Sequence, residues 1–98
     1  MVIGIMRVRF SFMSGAERDR RRVLRGAVDR LRARQSYSVA DVSDPSESRV
    51  GDIAISWVGR SAAEADSALD QALNLLDRVD AVVIDVAREV MHWKMYDE

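Results

Sequence analysis

The chain has no cysteine, one proline, one histidine and a single lysine in 98 residues. Without cysteine there is neither a disulfide nor a thiolate metal site, a pattern that fits a reducing cytosol. His92 has no second histidine or acid cluster beside it to hold a metal. Nor is it set among a nucleophile and an orienting partner. No Walker-type or G-x-G-x-x-G pattern occurs, and the lone glycine of Ser14-Gly15 reads as a plain turn. No apolar run approaches the roughly 18 residues of a membrane span, and the N-terminal run meets Arg7 and Arg9 too early for a signal peptide. The expectation is a cytoplasmic, non-enzymatic protein with no cofactor, no metal and no membrane partner.

What is present is charge, unevenly placed. The first 34 residues hold ten arginines and three acids, a net of +7; the other 64 hold five basic residues and thirteen acids, a net of −8. The formal total of −1 conceals this dipole. Such an asymmetry points one surface toward an anionic partner, with nucleic acid first. Fourteen of the fifteen basic residues are arginine. That bias has two readings, a GC-rich genome or the bidentate grip of guanidinium on phosphate.

The patterning predicts one domain over residues 1–90 and a C-terminal tail over 91–98. Val2 to Phe12 alternates as a strand, with Val2, Gly4, Met6, Val8, Phe10 and Phe12 inward and Arg7, Arg9 and Ser11 outward. A helix follows the Ser14-Gly15 turn to about Arg34, with Leu24, Ala27, Val28 and Leu31 as its apolar stripe. Ser36 to Val42 is a short strand, ended by the polar turn around Pro45. Val50 to Val58 is a β-branched strand closed by Gly59. Ser61 and Glu64 form a capping box that opens a second helix, which ends near Arg78 to Asp80. Ala81 to Ala87 is the fourth strand. Glu89 to Glu98 is either a strand extension with a short helix or a loose tail. The order βαββαβ predicts a ferredoxin-like α+β plait: an antiparallel sheet of order 4-1-3-2 with both helices on one face.

On the first helix Arg18, Arg21, Arg22, Arg25 and Arg32 fall within about 100° of one another, with Asp29 the only acid on that arc. This strip is the candidate contact for RNA or a partner; the bland alternative is a solvated face. Arg20 projects into the apolar sector, where it either snorkels or holds an anion near the helix start. Base stacking on the sheet is disfavoured, because the strand at Asp52 to Trp57 lacks the aromatic signature that such sheets need. Arg7 and Arg9 on the open sheet face, with Trp93 and Tyr96 in the tail, are candidate contacts in a homodimer.

At Arg18-Asp19-Arg20-Arg21-Arg22-Val23-Leu24 and Asp29-Arg30-Leu31-Arg32 the chain resembles the YlxP-like family of small bacterial proteins of unknown function. Ile3-Gly4-Ile5, Ser38-Val39-Ala40-Asp41-Val42 and Asp85-Val86-Ala87-Arg88-Glu89-Val90 are similar to that family's strands. Ala16-Glu17 departs from its usual Ser-Leu helix start. The resemblance implies a ferredoxin-like fold that often self-associates. It supplies no established activity, but the family's genes commonly neighbour those of translation initiation and ribosome maturation.

The leading expectation is therefore an accessory factor that contacts structured RNA or a ribosomal particle through phosphates, without sequence-specific DNA binding. A second is an interaction module whose basic helix meets an acidic protein or its own dimer mate. A third, weaker, is a small-ligand regulatory domain with a pocket at the loop between the first strand and the first helix.

Overall fold

A computed structural model describes residues 1–13, 17–34 and 36–94. Its elements run β1 (Val2–Ser11), α1 (Glu17–Arg32), β2 (Tyr37–Asp41), β3 (Val50–Gly59), α2 (Ala62–Leu76) and β4 (Val82–His92). The sheet order is β2-β3-β1-β4, with every pairing antiparallel. This is the ferredoxin-like plait that the element order predicts. The Ser14-Gly15 turn lies outside the described residues.

β1 is central because it has two partners in register, Met6 opposite Ile55 of β3 and Val8 opposite Val86 of β4. Its alternation makes one face apolar, and both helices cover that face. Met6, Val8, Phe10 and Phe12 are buried with Leu24, Ala27 and Leu31 of α1 and with Leu69, Ala72 and Leu76 of α2. Each large side chain so buried contributes roughly 1.5–3 kcal/mol. Gly51 sets how closely α1 approaches, since a Cβ there would lie 2.6 Å from Leu24 Cδ1.

The helix ends follow local chemistry. The Ser61 hydroxyl accepts the Glu64 N–H at 3.2 Å, as the cap spacing predicts. Such a cap contributes about 1 kcal/mol. α1 stops earlier than its periodicity suggests. Ala33 N–H still donates to the Asp29 carbonyl, but Arg34 N–H donates to that of Leu31, so the last turn tightens. Ser36 then turns the chain at a φ of 89°.

β4 differs more from expectation. It runs to His92, which takes the strand-extension alternative for residues 89–92 and carries the strand past the boundary drawn between residues 90 and 91. Arg88 and Glu89 look like a strand's end in sequence. In the fold, Val90 packs against the core and Arg88 reaches two acids of α2. A register shift opposite Arg9 and Phe10 skips Ile84, which breaks the alternation near the start of the strand. Beyond it, Trp93 N–H donates to the Met1 carbonyl at 2.8 Å. Among the described residues, no helix is long and apolar enough to cross a membrane.

Candidate nucleic-acid interface

The buried stripe of α1 fixes which of its side chains face water. Leu24, Ala27, Val28 and Leu31 point into the core, and the opposite arc carries the arginines. Arg18, Arg21, Arg22 and Arg25 border a shallow groove over Gly26, with Asp29 at its rim. Gly26 leaves the floor bare, since nothing lies within 4 Å of where its Cβ would be. These four arginines fall within two helical turns, about 10 Å of axis. Arg22 approaches Asp19 at 3.9 Å, an exposed pair with weak hold. Arg18 and Arg25 make no salt bridge among the described residues.

Arg32 does not share this groove. Its Nη2 donates to the Val39 carbonyl at 2.9 Å, tying the end of α1 to β2. Arg20 is 6% exposed. Its Nη1 donates to the carbonyls of Glu47 and, at 3.0 Å, of Val50. It thus fastens α1 to the turn between β2 and β3. Residues 14–16, which would complete an anion site near it, lie outside the described residues.

Arg7 and Arg9 stand on the uncovered sheet face, both with acidic neighbours across the strands. Arg7 pairs with Asp85 at 3.1 Å. Arg9 grips both oxygens of Asp52, at 2.9 and 3.0 Å, and Asp52 is only 5% exposed. The hydrogen bonds that Arg9 donates to Asp52, with the charge of that carboxylate, hold the Arg9 guanidinium above its ordinary pKa. At the other end of this face Ile3 faces Val58 on one side and Met91 on the other. Val58 and Ile5 are exposed there. Trp93 is 62% exposed, and Tyr96 lies outside the described residues.

A second concavity escaped the sequence reading. It lies between α2 and the β2 edge, on the helix side of the sheet, with a volume of about 750 Å³. Tyr37 and Trp57 are directly opposite each other in the β2–β3 ladder and both line it. The Tyr37 hydroxyl donates to the Ala68 carbonyl at 2.5 Å. Burial pushes the Tyr37 phenol above its ordinary pKa, while the charge of Arg34 pulls against that shift. The signal was present in the sequence, since Tyr37 lies two residues before inward Val39 and Trp57 two after inward Ile55. Only the register of the 42–49 turn shows that they meet.

No group of three or more histidine or acidic residues that could hold a metal occurs among the described residues. Over residues 3–88 the sequence matches the family model described as "Protein of unknown function (DUF503)". No curated protein matches the chain. Among solved structures, Rv0793 from Mycobacterium tuberculosis is 20% identical with a TM-score of 0.56, over 100% of this chain and 98% of that one. A variant of SnoaB, a cofactor-independent oxygenase from Streptomyces nogalater, is 8% identical with a TM-score of 0.54, over 97% and 95%. A de novo designed protein with ferredoxin fold is 10% identical with a TM-score of 0.51, over 100% and 96%. Identities this low carry the fold and nothing more.

Proposed function

The chain belongs to the DUF503 family of proteins of unknown function, and for this member we propose a non-enzymatic accessory role: the basic face of α1 contacts structured RNA or a ribosomal particle. In this reading the family is the YlxP-like one that residues 18–32 resemble, and the protein works in the cytoplasm. One observation carries the proposal. Four arginines surround a bare groove within two turns, and one carboxylate stands at its rim. Guanidiniums so spaced match successive phosphates and carry no base readout.

Salt dependence tests it. If about four phosphates are neutralised, log K falls with log salt at a slope near −3.6. Binding of the full chain to ribosomal particles or structured RNA then weakens on the order of 100-fold between 50 and 200 mM salt. Absence of binding at 50 mM salt overturns the reading.

A second reading has its own support in the uncovered sheet face. Ile3, Ile5, Val58 and Met91 form an apolar end there, and Arg7 with Asp85 and Arg9 with Asp52 a charged end. In this reading the chain is a homodimer with the apolar end, Arg7, Arg9 and Trp93 at the contact, or its basic helix meets an acidic protein. Light scattering at micromolar concentration separates an 11.0 kDa monomer from a species of twice that mass.

A further inference from the structure

The cleft beside α2 shares no residue with the α1 groove, and its chemistry is different. Two of its walls are aromatic and preset. Tyr37 is held by its hydrogen bond to the α2 backbone. The Trp57 ring lies over Gly59, so close that a Cβ there would come within 1.9 Å of it. Glycine at position 59 is therefore what lets the indole occupy this place. The rim carries Arg34 and Arg78, neither of which forms a salt bridge among the described residues. The exposed side of α2 adds the amides of Gln71 and Asn74.

Each component selects a ligand feature. Aromatic faces stack planar rings, and every nucleobase has such a face. Side-chain amides both donate and accept, which suits the polar edge of a base. Guanidiniums bind phosphate through paired hydrogen bonds. The volume is within the roughly 300–1,000 Å³ range of small-molecule sites. An aliphatic acid would leave the aromatic walls without a stacking partner, and a neutral ring would leave both guanidiniums without an anion. We propose that this cleft binds a nucleoside phosphate, with its base against Trp57 and Tyr37 and its phosphate on Arg34 and Arg78. The nucleotide is either free or an unpaired residue of an RNA chain, since both present the same groups.

The test uses the full chain with Trp93→Phe, which leaves Trp57 as the only tryptophan. It is titrated at low salt with AMP, GMP, CMP and UMP, with a short unpaired RNA, and with inorganic phosphate alone. The expected result is saturable quenching of Trp57 fluorescence, with a shift of its indole N–H resonance, by a nucleotide but not by phosphate alone. Arg34→Gln with Arg78→Gln weakens that binding about tenfold or more, and leaves the response to uncharged nucleosides unchanged. Trp57→Leu, which removes the reporter and is therefore read by titration calorimetry, weakens the binding by a similar factor. A response to the free monophosphates supports a free nucleotide as the source. A response to the RNA alone supports an unpaired residue. Failure of every nucleotide and of the RNA to move the Trp57 signals overturns the proposal, as does binding that the arginine pair does not weaken. Arg21→Glu, Arg22→Glu and Arg25→Glu together leave the mononucleotide titration unchanged, so failure of the cleft and failure of the α1 groove are read separately.

Discussion

The two helices occupy matching places in the two βαβ halves, yet they handle charge in opposite ways. α2 sets two of its acids, Asp66 and Asp70, beside β4, both more than half exposed. Arg88 of β4 donates to Asp70 at 2.7 Å and to Asp66 at 3.1 Å, so this charge holds the helix to the edge strand. α1 bears most of its charge outward. Of its arginines, Arg20 and Arg32 fasten to backbone carbonyls, and the groove set stays at the surface. Both helices bury a comparable leucine and alanine stripe. Packing thus accounts for the similarity of the helices and not for their difference in sign.

The largest effect that would break this comparison is on binding. Arg21→Glu, Arg22→Glu and Arg25→Glu together should reduce RNA or ribosome binding by on the order of 100-fold or more at low salt. Surface changes of this kind typically cost within about 0.5 kcal/mol each, so the circular-dichroism spectrum should stay native. If RNA binding persists and dimer formation is lost instead, the groove belongs to the interaction-module reading.

Arg20 separates structural from functional arginine on the same helix. Arg20→Ala removes a buried donor from two loop carbonyls. It should destabilise the fold by about 1–3 kcal/mol in urea titration. At salt and temperature where the variant is folded, its RNA affinity should match wild type. A stability unchanged from wild type would show that the clamp is not what holds the β2–β3 turn.

Asp66→Asn with Asp70→Asn releases Arg88 from both carboxylates. These acids are more than half exposed, so the solvent-screened loss should be about 1 kcal/mol for the pair, read by urea titration. RNA binding should be unchanged. A stronger affinity would show that α2's acids oppose the RNA electrostatically, and the contrast between the helices would need restating as one of net field.

The smallest change sharpens the groove itself. Gly26→Ala places a methyl group in open space. In a helix interior this should raise stability by about 0.5–1 kcal/mol, read as a higher urea midpoint. If phosphates descend to the groove floor, the same change should weaken RNA binding severalfold while the fold gains stability.

Much of the architecture is legible in the sequence. The alternation of Val2 to Phe12, the Leu24 to Leu31 stripe and the Ser61 cap each follow from a short-range period or a local hydrogen bond. Their order leads to the plait. The end of β4 was legible only as one of two alternatives, because the charge of Arg88 has its partners on another element. The groove was legible in large part, since four of the five predicted residues depend only on helical angle. Arg32 left the set because its partner, the Val39 carbonyl, lies on β2.

By itself, then, the sequence determined which faces are apolar, where the helices and most of the strands lie, and that one helix presents a positive arc. These depend on contacts within a turn or a strand, where spacing and geometry coincide. Only the tertiary structure decided what Arg7, Arg9, Arg20 and Arg88 pair with, because their partners stand 18 to 78 residues away. It alone brought Tyr37 opposite Trp57 under α2. Long-range pairing depends on strand register and on the place of each element in the sheet, and neither is encoded in any one segment.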